Sequence, residues 1–347
     1  MNRRAFLASG IAVGRTQAAD PPPTANLGLL LYSFGIRARQ EGAGFNDPAR
    51  FIAFAKARGA NAVQMSLGRR SEADATAVRR AADAAGVAVE GIVSPPDDTV
   101  AGRDRFAAEL ATARGCGAEV VRVVMLGGRR YEVFTKPDDY TLFARTAKAT
   151  LERAEPLARA AGVKLGVENH KDFRTDELVD VLRGLGSPWV GVCVDTGNNL
   201  ALLEDPTAAI AALAPFAVTV HLKDMGLEES ADGFRLAEVP LGQGVLDLPA
   251  VVAALRKGNP RVRFQLEMIT RDPLLVPCLT ERYWATLGRV PGRDLARTLA
   301  LVRRAAAARK EPLPRVAPLP PDGQVAAEER NVRESFTFAA RTRLLMG

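Results

Sequence analysis

Eight short apolar runs recur between Leu27 and Arg309, and each is followed by a segment of helical propensity. The runs cover residues 27–33, 62–67, 87–94, 119–126, 163–170, 189–195, 217–224 and 262–268. The helical segments cover 47–58, 72–85, 103–114, 140–161, 175–185, 205–213, 248–257 and 294–309, with Thr175 a candidate N-cap. The runs are nearly continuous apolar stretches, as in strands covered on both faces of a sheet. Eight such strands alternating with eight helices over this length predict an α/β fold, the (β/α)8 TIM barrel. An open, doubly wound sheet would want a glycine-rich phosphate turn after its first strand, and Tyr32-Ser33-Phe34-Gly35 is not one. Long loops are expected at 226–243 and 270–292, both leaving the carboxyl ends of strands.

Alternation within a strand assigns each side chain to a face. In the fifth run Val163, Leu165 and Val167 share one face, and Lys164, Gly166 and Glu168 the other. In the sixth, the valines oppose Gly191, Cys193 and Asp195. In the seventh, Val218, Val220 and Leu222 oppose Thr219 and His221; in the eighth, Val262, Phe264 and Leu266 oppose Arg263, Gln265 and Glu267. A barrel packs its apolar strand face on the helices and turns the other face inward. Glu168, Asp195, His221 and Glu267 are therefore expected at one rim, the C-terminal one, where barrel active sites sit.

Taken singly, each has an ordinary explanation. A strand-end acid caps a loop, Asp195 before Thr196-Gly197 accepts turn hydrogen bonds, and a lone histidine fills a core. Jointly, three acids and an imidazole would repel or stay unpaired unless a cation sat among them. The two histidines of the chain, His170 and His221, both fall at these strand ends. The ligand set suits a hard or borderline divalent ion, Mn²⁺ first, then Mg²⁺, Co²⁺ or Zn²⁺. Four protein ligands on an octahedral ion leave two positions for neighbouring substrate oxygens, such as a carbonyl and the adjacent hydroxyl. Proton removal next to that carbonyl then gives an enediolate, with Glu168 and Glu267 as the candidate catalytic pair.

Composition narrows the partners. Of the net charge of +7, three charges belong to Arg3, Arg4 and Arg15; without them the chain carries +4. No tight basic run interleaved with aromatics marks a nucleic-acid surface. No stretch is long and apolar enough to span a bilayer. Cys116, Cys193 and Cys278 are too far apart and odd in number for a disulfide framework or a zinc cluster. At the N-terminus, Asn2-Arg3-Arg4-Ala5-Phe6-Leu7, a short apolar run and Thr16-Gln17-Ala18 resemble a twin-arginine export signal, which assigns residues 1–19 to targeting and the protein to the periplasm. The barrel then covers 20–310. Residues 311–347 form a Pro-rich linker and a tail helix, expected to lie on the barrel or to join subunits in a homo-oligomer.

The strand-end motifs resemble the xylose-isomerase-like barrel superfamily of sugar isomerases and epimerases. The matching pieces are Val167-Glu168-Asn169-His170, Val194-Asp195-Thr196-Gly197-Asn198, Val220-His221-Leu222-Lys223-Asp224, Pro240-Leu241-Gly242-Gln243-Gly244 and Leu266-Glu267. Leu31-Tyr32-Ser33-Phe34 resembles the family's first strand. The resemblance implies that Glu168, Asp195, His221 and Glu267 bind the metal, and that Glu168 and Glu267 carry the proton. It also departs from the pattern: the epimerases usually place histidine where this chain has Asn198. His170, Asn198 and Lys223 are therefore candidate substrate contacts, together with Tyr32, Gln243 and, in the loop after the eighth strand, Arg271 and Trp284 beside Tyr283. The family's DNA-repair nucleases need several more histidines than this chain holds. Without a glycine-rich turn opening a helix at the rim, the expected substrate is an unphosphorylated sugar. A lyase or hydratase using the same enediolate chemistry, and a non-catalytic sugar-binding barrel, are the competing functions.

Overall fold

The computed structural model describes residues 25–40 and 42–346. The export segment expected at 1–19 lies outside them. The first seven strands are β1 (Gly28–Leu30), β2 (Ala62–Ser66), β3 (Ala88–Ile92), β4 (Val120–Val123), β5 (Lys164–Glu168), β6 (Val190–Asp195) and β7 (Ala217–Leu222). A hairpin, β8 (Asp224–Ser230) and β9 (Gly233–Val239), then precedes β10 (Phe264–Leu266) and β11 (Leu274–Val276). Strands β1–β7 and β10 close into a barrel in the order β1-β10-β7-β6-β5-β4-β3-β2, with every neighbouring pair parallel. This is the (β/α)8 barrel expected from the eight runs.

The strand faces fall as alternation requires. Val163, Leu165, Val167, Val190, Val192, Val194, Val220, Phe264 and Leu266 join one apolar cluster with Leu151, Ala154 and Ala158 of the helix Pro137–Ala161 and with Leu178 and Leu182 of the helix Thr175–Leu185. Short polar caps start many of the helices: Asp47 accepts from Ala49 N, Ser71 from Asp74 N, Asp205 from Ala208 N and Asp247 from Ala250 N. Thr175 is not a cap. It is the first helical residue, and Glu177 and Glu204 accept the N–H groups of Arg174 and Thr175.

Two stretches expected as loops carry structure of their own. Residues 224–239 fold back as the β8–β9 hairpin, and β11 adds antiparallel to β9. The three-stranded sheet rests on a second apolar cluster that includes Leu200, Met225, Leu227, Phe234, Leu236, Val276, Tyr283 and Val302. The helix Gly292–Ala308 contributes Val302 to it, so the C-terminal rim is roofed on the side of β6 to β10.

The tail helix, Pro321–Thr342, lies on its own barrel. Val332, Phe336 and Ala339 join the barrel's main cluster. Glu328, buried, accepts the N–H groups of Ile36 at 2.7 Å and Arg37 at 3.0 Å. Among the described residues no helix is long and apolar enough to cross a membrane.

Candidate metal centre

Glu168 ends β5, Asp195 ends β6, His221 is the fifth residue of β7, and Glu267 directly follows β10. Register brings them together: Glu168 pairs with Cys193, Asp195 with His221, and Gln265 with His221, along adjacent parallel strands. One ligand atom from each of Glu168, Asp195, His221 and Glu267 lies within 4.8 Å of all the others. His221 Nδ1 is 3.5 Å from Glu168 Oε2 and 3.5 Å from Glu267 Oε2. Neighbouring ligands bound at about 2.1 Å to an octahedral ion stand about 3 Å apart, so this spacing fits a metal ion with little adjustment.

Two details support the fit. His221 Nδ1 is buried without a hydrogen-bond partner, and Asp195 Oδ2 and Glu267 Oε2 beside it meet the Lys223 ammonium, which leaves each oxygen a further lone pair for an ion. And the histidine's tautomer is fixed from behind. Gln64 Nε2 donates to Glu90 Oε2 at 3.0 Å, which turns Gln64 Oε1 toward His221 Nε2 at 2.7 Å. Nε2 therefore carries a proton, and Nδ1 is the ring atom that faces the cluster and would give up its proton to an ion. Thr219 Oγ1 donates to the same Glu90 oxygen at 2.7 Å and completes the chain.

The electrostatics call for positive charge at this point. Burial opposes a charged imidazole, yet the carboxylates of Glu267 and Glu168 raise the His221 pKa above its ordinary value. Burial, with Glu267 and Glu168 adding to it, pushes Asp195 up to about 7 despite Lys223. Its other oxygen, Oδ1, accepts the backbone N–H groups of Gly197 and Asn198, both at 2.9 Å. Cys193 also lies among these groups, but burial pushes its thiol up to about 11, so it stays neutral.

Fixed cations flank the acids. Lys223 Nζ is 2.6 Å from Glu267 Oε2, 2.8 Å from Asp195 Oδ2 and 3.6 Å from Glu238 Oε1. It does not pair with Asp224, whose buried carboxylate instead gathers the N–H groups of Met225, Gly242, Gly244 and Leu246. That staple holds the Pro240–Gly244 turn against the start of β8. Gly242 has φ +82°, and a Cβ on Gly244 would stand 2.1 Å from Asp224 Oδ1, so both positions need glycine.

The remaining candidates divide. Asn198 lies within the cluster: its Nδ2 donates to Glu168 Oε1 at 3.2 Å and its Oδ1 accepts from Lys171 Nζ. His170 sits beside it with Nδ1 unpartnered, and burial lowers its pKa to about 4, so the ring is neutral. Tyr32 is partly exposed, 5.8 Å from the Arg122 guanidinium. Arg271 reaches Glu238 at 2.8 Å, next to Lys223. Gln243 and Trp284 do not join. Gln243 is exposed with its amide on Glu334 of the tail helix, and Trp284 donates its indole N–H to Cys278 O within the roof. In both cases a nearby structural acceptor takes the polar group. A cavity of about 520 Å³ lined by Glu90, Lys164 and Arg263 lies at the opposite, N-terminal end of the barrel, away from this cluster.

Sequence reasoning missed Arg122, Gln64 and Lys171. Arg122 places Nε and Nη2 each 2.5 Å from Glu168 Oε2, and although burial of the acid works the other way, this ion pair holds Glu168 down to about 2. A faint signal existed for Arg122 and Gln64: each is a polar residue inside an otherwise apolar run.

Comparison with known proteins agrees with the barrel fold. Residues 52–296 match the family model described as xylose isomerase-like TIM barrel. A stretch of 132 residues is 32% identical to 3-oxo-isoapionate decarboxylase of Pectobacterium atrosepticum, covering 35% of this chain and 48% of that one. A stretch of 185 residues is 29% identical to the putative L-ribulose-5-phosphate 3-epimerase SgbU of Escherichia coli, covering 50% and 60%. The matches thus span about half of these curated relatives. Among solved structures, D-psicose 3-epimerase with D-tagatose from Clostridium cellulolyticum H10 superposes with a TM-score of 0.57 at 14% identity, over 80% of this chain and 98% of that one. The Escherichia coli 3-keto-D-glucoside 4-epimerase gives 0.54 at 13% identity, over 80% and 99%. These two likenesses show the fold. With more than half its length matched by the family model, and the barrel closed as that family requires, the chain belongs to the xylose isomerase-like TIM barrel family.

Proposed function

We propose that this protein is a divalent-metal-dependent isomerase or epimerase of a keto-sugar. The observation that carries this reading is the meeting of Glu168, Asp195, His221 and Glu267 within 4.8 Å at the C-terminal rim of the barrel. These four residues hold the ion, Mn²⁺ by preference, with Mg²⁺, Co²⁺ and Zn²⁺ next. When bound, the ion supplies Lewis acidity at a substrate carbonyl, which stabilises the enediolate formed when the neighbouring proton leaves.

The side chains do the rest. Glu267 removes the proton from the carbon next to the carbonyl, and Glu168, from the other side, returns one; the reverse reaction exchanges their roles. Lys223, 2.6 Å from Glu267, keeps that carboxylate ionised and well below the ordinary range, so it would take a proton only from a carbon that a bound ion had acidified. Gln64 fixes the tautomer of His221, and the Gly197 and Asn198 N–H groups fix Asp195. Tyr32, His170, Asn198 and Arg271 are the substrate contacts. The name of the Escherichia coli relative, an L-ribulose-5-phosphate 3-epimerase, supports a sugar substrate.

A second reading is a lyase using the same enediolate. It is favoured by the Arg122–Glu168 ion pair, which makes Glu168 a poor proton acceptor, and by the name of the Pectobacterium relative, a decarboxylase. Incubation of the Mn²⁺-loaded protein with keto-sugars in D₂O, followed by NMR, separates the readings. Deuterium at a sugar carbon with the skeleton retained supports the first, and a released fragment supports the second. Metal binding without exchange or cleavage of any sugar tried favours a binding protein and contradicts both.

Export by the twin-arginine route is part of the proposal and rests on Arg3, Arg4, Phe6 and Leu7 in sequence. A route that carries folded proteins suits one that loads its metal before leaving the cytoplasm.

A further inference from the structure

We propose that Lys171 is an anchor for a carboxylate on the substrate, and hence that the substrate is a keto-sugar acid and not a neutral sugar. This rests on the proposed function, because it takes the same site as the place of reaction.

Lys171 follows β5 by three residues and is 3% exposed. Its ammonium donates to Asn198 Oδ1. The amide cannot be turned the other way, because Asn198 Nδ2 faces Glu168 Oε1. Lys171 thus stands one amide away from a metal-ligand carboxylate. No carboxylate oxygen of the described residues comes within 4.0 Å of it. Asp172, its neighbour in sequence, bonds instead to the backbone N–H groups of Phe173 and Leu126. A buried ammonium whose one partner is a neutral amide is costly. Burial, and Lys223 beside it, lower its pKa to about 8 against the more distant pull of Asp195 and Glu238. Two of its three N–H donors remain for a ligand.

Charge counting gives the ligand's sign. Arg122 is paired with Glu168, Lys223 with Asp195 and Glu267, and Arg271 with Glu238. Three cations thus face four acids, and Lys171 brings the cluster to neutrality. A divalent ion then brings it to +2. Passage of a substrate proton to Glu267 moves charge within the site and leaves that total unchanged. A substrate carboxylate lowers it, whereas a neutral sugar does not, and without a glycine-rich turn opening a helix at the rim the carboxylate fits better than a phosphate.

The test uses the full chain, first stripped with chelator and titrated with Mn²⁺, then titrated by calorimetry with three probes: 2-keto-D-gluconate, D-fructose and D-fructose 6-phosphate. The expected result is binding of 2-keto-D-gluconate at least about tenfold tighter than D-fructose, as a charge-assisted hydrogen bond provides. In Lys171→Met that preference is expected to vanish, the ratio of the two affinities falling to about one. A cooperative thermal melt of the variant separates a lost ligand contact from lost folding. Lys171→Gln, which keeps a polar group on Asn198, is the second variant and is expected to lose the preference too. Equal binding of D-fructose and 2-keto-D-gluconate, or a preference that survives in both variants, overturns the proposal. Tighter binding of D-fructose 6-phosphate than of 2-keto-D-gluconate overturns the carboxylate assignment in favour of phosphate. Failure to bind Mn²⁺ contradicts the metal reading instead, and the Lys171-dependent preference is then read on the same metal-free protein, where its presence supports the anchor and its absence overturns it.

Discussion

Gln64 shows how much of the centre depends on residues that never touch a ligand. Its amide links Glu90 to His221 Nε2, fixes a proton there and leaves Nδ1 facing the acids. Gln64→Leu keeps the shape of the side chain and removes that link. It is expected to weaken Mn²⁺ binding by about tenfold to a hundredfold, as loss of an outer-shell partner does, and to cost about 1–3 kcal/mol of stability, because His221 and Glu90 each lose a buried partner. Unchanged affinity in a Mn²⁺ titration would show that the tautomer is set some other way. Glu267→Gln keeps the fold and is expected to lower turnover by about 10²-fold or more; full turnover would remove Glu267 from the proton path. His170 gives a pH signature. Burial lowers its folded pKa to about 4 from 6.5, so as pH falls the unfolded chain takes up this proton first. Stability is thus full above about pH 6.5 and lost progressively toward pH 4, by up to about 3 kcal/mol. His170→Gln is expected to flatten pH-dependent thermal melts in that window, and an unaltered slope would count against a buried neutral ring. The meeting of Glu168, Asp195, His221 and Glu267 at one rim was legible in the sequence, because a period of two fixes which side chains of a strand point inward. Gln64, Arg122 and Lys171 were not. Their roles arise from pairing across β2, β4 and the β5–helix loop, and a single sequence holds no record of which partner lies across a barrel.

At the scale of elements, the β8–β9 hairpin and β11 were hidden for a different reason. β8 reads Asp-Met-Gly-Leu-Glu-Glu-Ser, a mixture with no clean alternation, and β11 is three residues long. Their stability comes from long-range pairing and from the apolar floor under them, not from local propensity. Asp224 closes this unit by accepting four backbone N–H groups. Asp224→Ala leaves those donors buried without a partner. It is expected to cost roughly 3 kcal/mol in urea denaturation and to weaken Mn²⁺ binding as well, since Lys223 is adjacent in the chain. A loss below about 0.5 kcal/mol would show that water replaces the carboxylate at little cost. The barrel strands themselves were legible within a residue or two at most ends, because each is a continuous apolar run bounded by polar or turn residues.

For the whole molecule, the tail helix turned out to be part of the barrel's own packing, with Val332, Phe336 and Ala339 in the main cluster and Glu328 on the backbone of Ile36 and Arg37. Sequence left open whether it would lie on the barrel or on a partner subunit, since an amphipathic face does not name what it covers. Ending the chain at residue 320 exposes that cluster and is expected to lower stability by about 4 kcal/mol or more, measured by thermal melting; an unchanged melting point would mean that the helix is dispensable. The unity of the molecule lies in its rim, where eight strands, a roof and a tail serve one cluster of charges. Its most direct test is the stoichiometry and affinity of Mn²⁺ binding to chelator-stripped protein, followed by electron paramagnetic resonance. The expected result is one tightly held ion per chain, lost in both His221→Ala and Asp195→Asn. Wild-type protein that binds no ion, or variants that bind it as well as the wild type, would contradict the metal centre.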